Sequence, residues 1–217
     1  MKILGFTGNR ADYYLQRPVF KRLLDIPDVD LQIIVSGGIL TELNSRTMAD
    51  IENDNIPVLD KLKIDPGVLA SDSHSLQIAY LLPILDSLIV ASEADVAIVY
   101  ADRFETFAFA LAAFHRNLIV LHLEAGDITE GGTYDDSIRH CITKLSHLQA
   151  TSTKHGLQVV RSLGEESWRS EHVGLLSYES MARYTAEESE NVANSLGLSP
   201  EKSLILATMH PIPADPD

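Results

Sequence analysis

The feature that most constrains the fold of this chain is a regular alternation of short, almost wholly apolar segments with longer amphipathic ones. The apolar segments have the length of strands and end at turn residues, and the segments between them carry apolar residues at helical spacing. Strands that are apolar on both sides are typical of parallel sheets covered by helices on both faces. We therefore predict an α/β fold with a doubly wound parallel sheet.

The pattern predicts the following elements. Strands are expected over residues 3–6, 31–35, 57–64 (as an edge strand), 96–100, 118–123, 149–152 and 203–208. Helices are expected from Pro18 onward, because proline suits a first helical turn, and over residues 40–53, 74–91, 103–115, 135–148, 154–163 and 186–196. Ligands of such sheets bind beyond the carboxyl ends of the strands. Function should therefore lie along the edge that carries residues 7–10, residues 36–38, Asp102, Glu124 and His210.

Charge and cysteine content narrow the class of protein. With 17 basic and 31 acidic residues the net charge is −14, and the sequence contains no run of Lys or Arg that would form a basic patch. We therefore expect no nucleic-acid partner. Cys141 is the only cysteine, which excludes an internal disulfide and a Cys-rich zinc site and fits a reducing cytoplasm. The longest apolar stretch, residues 76–91, is short and interrupted by Pro83 and Asp86, so we expect no membrane span.

Two strand ends carry acidic residues that have alternative interpretations. Asp102 could cap the following helix or be a carboxylate fixed for function, and the two roles are compatible. Glu124 ends a buried strand, where a charge is costly unless it is paired or lies in a cleft; a solvated loop carboxylate is the alternative. His122 shares the strand face of Glu124, and we interpret it as a hydrogen-bonded core histidine rather than a ligand.

The helix predicted over 135–148 aligns Asp136, His140, Thr143 and His147 on one face. Such a row is either a solvated face or part of a site, and spacing alone leaves both open. No tight metal-ligand spacing is present, and the glycines near the N-terminus match neither a dinucleotide-binding nor a phosphate-loop pattern, so we expect no metal and no cofactor. Arg10, after the first strand, suits a phosphate contact.

Taken together, four segments resemble the UDP-N-acetylglucosamine 2-epimerases, especially the hydrolysing enzymes of sialic-acid-type sugar synthesis. They are Thr-Gly-Asn-Arg-Ala-Asp-Tyr at 7–13, Ala-Asp-Arg-Phe-Glu at 101–105, the stretch 122–132 that begins His-Leu-Glu-Ala-Gly-Asp, and the stretch 135–148 that begins Asp-Asp-Ser-Ile-Arg-His. The chain departs from the family pattern at four positions. Asn9 stands where Thr is usual, Ile39 near a usual His, Ala101 where Gly is common, and Asp136 where Glu is common.

The resemblance implies a glycosyltransferase-B arrangement, in which two Rossmann-like domains face each other across a cleft. Residues 1–208 would form the N-terminal domain, and residues 209–217 would begin the crossover to a C-terminal domain that this chain lacks. A homo-oligomer, dimer or tetramer, is expected.

The implied reaction converts UDP-N-acetylglucosamine to N-acetylmannosamine and UDP, through elimination to a 2-acetamidoglucal and then hydration. Carried over by motif, the catalytic residues are Asp102, Glu124, Asp136 and His210, and the substrate-binding residues are Arg10, Arg103, Arg139 and His140. Which carboxylate is the acid and which the base stays open. The alternatives are a non-catalytic half-domain that binds a nucleotide sugar, and a glycosyltransferase of the same architecture.

Overall fold

A computed structural model describes residues 1–41, 45–70, 73–129, 134–178, 186–199 and 205–208. Within them, seven strands form one sheet, and every pair of neighbouring strands is parallel. The strands are β1 (Lys2–Thr7), β2 (Asp30–Ser36), β3 (Val58–Leu62), β4 (Val96–Tyr100), β5 (Ile119–Leu123), β6 (Leu148–Thr151) and β7 (Ser170–His172).

Helices lie between successive strands, and one more helix follows the last strand. They are α1 (Arg10–Leu24), α2 (Ser45–Asn53), α3 (Pro66–Leu69), α4 (His74–Ser92), α5 (Phe104–His115), α6 (Tyr134–Leu145), α7 (Lys154–Ser162) and α8 (Ala186–Ser195), with short 3-10 turns at Gly37–Leu40 and Ser167–Arg169. The predicted α/β class with a parallel sheet is confirmed.

The strand order is β3-β2-β1-β4-β5-β6-β7. The chain builds outward from β1 to β3 and then restarts on the other side of β1 with β4, so the winding direction reverses between β1 and β4. Crevices at such a reversal, beyond the carboxyl ends of the strands, are where open α/β sheets bind ligands.

Successive side chains along each strand point to opposite faces of the sheet, where they pack into two separate hydrophobic cores. Leu4, Phe6 and Ile34 belong to one core, with helices α4 and α5, whereas Ile3 and Ile33 belong to the other, with α1. All five are at most 5% exposed. Both faces of the sheet are therefore covered, which explains why the strands are apolar throughout rather than alternating.

The first helix begins earlier than the sequence predicted. It starts at Arg10, and Pro18 lies inside it. The Asn9 side chain accepts a hydrogen bond from the Asp12 amide at 3.0 Å and so caps the helix directly after β1. The prediction from Pro18 was wrong because the asparagine cap at Asn9, nine residues before Pro18, sets the start.

The chain divides into two compact units, residues 1–176 and residues 177–217. The first holds the sheet, and the second holds α8. Residues 205–208, the described part of the predicted strand 203–208, form no strand, and the side chains of Ile205 and Leu206 are 89% exposed. An apolar run becomes a strand only where a neighbour supplies hydrogen bonds. The predicted domain boundary at residue 208 stays a prediction.

By length and composition alone, α4 could cross a membrane. Its Leu81, Leu85 and Ile89 side chains, one turn apart, are buried in the core that α4 shares with α5. Since core helices pass the same test of length and composition, α4 is weak evidence for a span.

Candidate active site

Two neighbouring strands deliver carboxylates to the same edge of the sheet. Glu124 directly follows β5, and Asp102 lies two residues beyond β4. The strands are in register there, since the Ala101 amide donates to the Leu123 carbonyl at 3.0 Å. Adjacent parallel strands therefore hold the two acidic side chains at the expected edge.

The backbone at this edge adopts unusual conformations. Ala101 and Glu124 have φ values of +56° and +58°, the left-handed region that favours glycine. Gly126 has φ +82°, and a Cβ there would lie 2.2 Å from the Gly156 carbonyl oxygen of α7, so only glycine fits. Strained backbone of this kind is common at functional sites. Glycine would adopt this conformation at position 101 without the steric strain that an alanine Cβ brings.

Arg139 of α6 joins two of the predicted carboxylates. Its Nη2 contacts Asp102, and its Nη1 lies 3.5 Å from Asp136 and donates to the Asp127 carbonyl at 2.6 Å. The three charged side chains are only 10% (Arg139), 21% (Asp102) and 16% (Asp136) exposed. The Thr129 amide also donates to Asp136, at 2.9 Å. The structure thus brings Asp102, Asp136 and Arg139 together through one guanidinium group.

Glu124 has a different environment. The Tyr100 hydroxyl donates to its Oε2 at 2.5 Å, while its Oε1 is buried without a hydrogen-bond partner among the described residues. Burial raises the pKa of Glu124, the Tyr100 hydrogen bond lowers it, nearby Asp127 raises it, and the Ser152 hydroxyl lowers it by a smaller amount. A carboxyl group with a raised pKa can exchange a proton nearer to neutral pH.

Arg103 is paired with Glu105 on the first turn of α5. Its Nε and Nη2 lie 3.1 and 3.2 Å from the Glu105 oxygens, and Glu105 is 3% exposed. Asp12 of α1 is nearby, and burial raises its pKa to about 6 against the opposing effect of Arg103. Arg103 itself is 42% exposed and so remains accessible at the edge.

The structure does not join Arg10 or His140 to the predicted carboxylates by a hydrogen bond or an ion pair. Arg10, the first residue of α1, is exposed and makes no hydrogen bond or ion pair with any other described residue. His140 lines an apolar groove with Phe107 and Leu111, between α5 and α6. His210 lies outside the described residues. The roles of all three stay predictions.

His122 is a core histidine, as the sequence indicated. It is fully buried; Nε2 donates to the Ala101 carbonyl at 2.8 Å, and Nδ1 lies 3.1 Å from the Thr143 hydroxyl. Burial lowers its pKa to about 4, so the ring is neutral. Within the described residues, no three His, Cys, Asp or Glu side chains form a group that could hold a metal ion.

Sequence reasoning missed Tyr100 and Asp12. The sequence pattern treated Tyr100 only as the last apolar residue of a strand. The available signal was its hydroxyl, because a buried tyrosine hydroxyl normally needs a hydrogen-bond partner. Asp12 lies in the first turn of α1, which starts at Arg10. The sequence placed that start at Pro18, so the burial of Asp12 in a helical turn was not expected.

The parallel sheet and its strand order define a Rossmann-like α/β domain. Residues 21–215 match the family model described as UDP-N-acetylglucosamine 2-epimerase, and the chain belongs to that family.

Two curated relatives and one solved structure are similar to this chain. It is 32% identical, over 100% of its length and 57% of the relative's, to a Legionella pneumophila UDP-N,N'-diacetylbacillosamine 2-epimerase (hydrolyzing). It is 26% identical to a Neisseria meningitidis UDP-N-acetylglucosamine 2-epimerase over 97% of this chain and 54% of that protein. A crystal structure of the N. meningitidis UDP-GlcNAc 2-epimerase bound to UDP-GlcNAc has a TM-score of 0.75 at 18% identity, covering 94% of this chain and 56% of that one. The chain thus spans about half the length of these proteins.

Proposed function

We propose that this chain is the catalytic-carboxylate half of a hydrolysing UDP-N-acetylglucosamine 2-epimerase, which forms N-acetylmannosamine and UDP. The observation that carries the proposal is the pairing of two kinds of carboxyl group at one strand edge. Glu124 is half-buried with a raised pKa and an oxygen whose hydrogen-bonding capacity is unused. Asp102 and Asp136 are instead held by Arg139.

The chemistry requires one group that accepts a proton and another that delivers one from the opposite face of the sugar. In the elimination, the C2–H and C1–O bonds break, the C2 proton goes to a base, and UDP leaves with the C1–O electron pair to give the 2-acetamidoglucal. In the hydration, water adds its oxygen to C1 and gives up a proton, and a proton is delivered to C2 from the opposite face. We assign one of these two proton-exchanging groups to Glu124 and the other to a carboxyl group of the Asp102–Arg139–Asp136 cluster, which also orients the sugar.

The leaving diphosphate needs a cation that is not already neutralised. Arg139 and Arg103 have carboxylate partners, whereas Arg10 has none among the described residues. Arg10 also lies at the N-terminus of the 15-residue helix α1, where free amide groups favour anions. We therefore assign the diphosphate contact to Arg10, with His210 as a second contact and His140 as a supporting group.

The substrate range, location and assembly belong to the proposal. UDP-N-acetylglucosamine is the first substrate to test, and UDP-N,N'-diacetylbacillosamine the second, because the Legionella relative carries that name. The product would enter sialic-acid-type sugar synthesis, in the cytoplasm, from a homo-oligomer. Since the relatives are about twice as long, we expect high activity only from a two-domain form.

The test is isotope tracing by NMR and mass spectrometry with the protein and UDP-N-acetylglucosamine. In D₂O the N-acetylmannosamine formed should carry deuterium at C2. In H₂¹⁸O the released UDP should contain no ¹⁸O, because the C1–O bond rather than the P–O bond breaks. Label in UDP, or no deuterium at C2, would contradict the proposed route.

Matched variants separate the alternatives. Glu124→Gln should abolish turnover, whereas Glu52→Gln, on the exposed face of α2, should leave it unchanged. Binding of UDP without turnover, in the two-domain form as well, would support the non-catalytic half-domain. UDP release that requires an added acceptor sugar would support a glycosyltransferase.

A further inference from the structure

Tyr100 is a buried polar residue that the proposed chemistry does not use. It is the last residue of β4 and is 4% exposed. The β4–β5 register places it opposite Leu123, so that its ring lies beside the residue that follows, Glu124. Its hydroxyl donates to Glu124 Oε2 at 2.5 Å.

We infer that Tyr100 is a positioning residue, whose hydroxyl holds the Glu124 carboxylate in one orientation and favours its ionised form. A glutamate side chain has three rotatable bonds, and this hydrogen bond fixes one carboxylate oxygen. The other oxygen, Oε1, accepts no hydrogen bond within hydrogen-bonding geometry among the described residues, and the nearby Ser152 hydroxyl has only a smaller effect on the carboxyl group than Tyr100 has. The consequence for turnover rests on the proposed function, but the effect on Glu124 itself does not.

The charges around the pair are consistent with this role. Burial and Glu124 raise the pKa of Tyr100 far above its usual range, as does Asp12 of α1, while Arg139 of α6 lowers it, so the phenol remains a proton donor. On the other side, burial and Asp127 raise the pKa of Glu124, and the phenol is the neighbour that opposes them most. A neutral donor therefore orients the carboxylate and leaves its negative charge available for proton exchange. A salt bridge would orient it too but would neutralise that charge.

The test compares Tyr100→Phe with the unaltered protein. The variant keeps the ring and removes only the donor, so we expect it to fold, which thermal unfolding checks. A hydrogen bond to a charged group corresponds to about a tenfold change in an ionisation equilibrium. We therefore expect Glu124 to titrate at higher pH in the variant. The measurement is ¹³C NMR of carboxyl-labelled glutamate, with the Glu124 signal assigned by its loss in Glu124→Gln.

Kinetics provide the second readout. At a pH below the acid limb of the kcat/KM profile, Tyr100→Phe should lose about tenfold in kcat/KM. Raising the pH above that limb should restore much of the loss, which a merely structural role would not do. The matched control is Tyr13→Phe, since the Tyr13 hydroxyl also donates to a buried carboxylate, Asp54, at 2.6 Å. The control should lose stability without moving the acid limb.

The outcomes separate the two hypotheses. An unchanged Glu124 titration in a folded Tyr100→Phe variant would overturn the inference, whether or not the protein turns over sugar. A shifted titration in a protein without epimerase activity would sustain the positioning role and refute the proposed function. A double-mutant cycle adds a check that needs no activity: the stability cost of Tyr100→Phe should largely disappear in the Glu124→Ala background, which lacks the acceptor, only if the two side chains are coupled.

Discussion

Removal of the Arg139 side chain should destabilise the protein in a pH-dependent way. The guanidinium contacts Asp102 and Asp136 and donates to the Asp127 carbonyl, with the side chain only 10% exposed. Arg139→Ala would leave two poorly solvated carboxylates without their cation. Breaking a buried pair costs roughly 3–5 kcal/mol, and the partial exposure of both carboxylates puts our expectation at the low end, about 3 kcal/mol. For a chain of this length that lowers the Tm by about 6–12 °C.

Urea and thermal unfolding between pH 7 and pH 4 measure this effect. Acid neutralises carboxylates, so the difference between Arg139→Ala and the unaltered protein should shrink as the pH falls. The matched control is Arg116→Ala, which breaks an exposed pair with Asp86 and should change stability little at any pH. A loss for Arg139→Ala that is the same at pH 7 and pH 4 would show that it comes from lost packing and not from unpaired charge.

Three further perturbations test other parts of the structure. Burial raises the pKa of Asp12 from 3.8 to about 6 in the fold, so its protonated form favours folding; urea titrations should show stability lost as the pH rises from about 4 to about 6, by up to about 3 kcal/mol. Asp12→Asn should remove that slope, and parallel pH curves for the two proteins would contradict the assignment. Ala101→Gly should raise the Tm slightly, because relief of the left-handed strain, about 1–2 kcal/mol, exceeds the roughly 0.5–1 kcal/mol entropic cost of glycine; a lower Tm would refute that balance. Glu165 is 5% exposed and accepts from Lys144 and Arg169 at 2.5 Å each, so Glu165→Gln should cost about 2 kcal/mol in urea unfolding, and a neutral result would mean that the network is not stabilising.

Local sequence carried enough information for the sheet and for part of the site. Runs such as 96–100 are long, apolar and bounded by turn residues, so their strand character depends little on the rest of the chain. The position of function at the strand ends follows from topology, which is why Asp102 and Glu124 could be chosen. The meeting of Asp102 with Arg139 is different, because no spacing rule joins residues 37 positions apart. The family resemblance assigned both residues to one site, but their contact is seen only in the structure.

The failures also have physical reasons. Proline at position 18 resembles a helix start, yet the side-chain cap at Asn9 outweighs it, because a helix interior can tolerate one missing amide donor. Tyr100 was not recognised because its hydroxyl partner comes from the next strand, and cross-strand pairing is invisible in a linear pattern. The 3-residue strand β7 is too short to leave a periodic signal.

The distribution of charge at the strand edge explains how one site can hold carboxylates of different behaviour. Asp102 and Asp136 share the Arg139 guanidinium as their ion-pair partner. Glu124 is held instead by a neutral hydroxyl in a partly desolvated position, which leaves its charge uncompensated and its pKa raised. Neighbouring carboxyl groups in different environments are an arrangement that acid–base chemistry can use. Because the parallel strands fix the backbone at this edge, the difference between the two environments depends on the partners of the carboxylates, Arg139 and Tyr100, as much as on the carboxylates themselves.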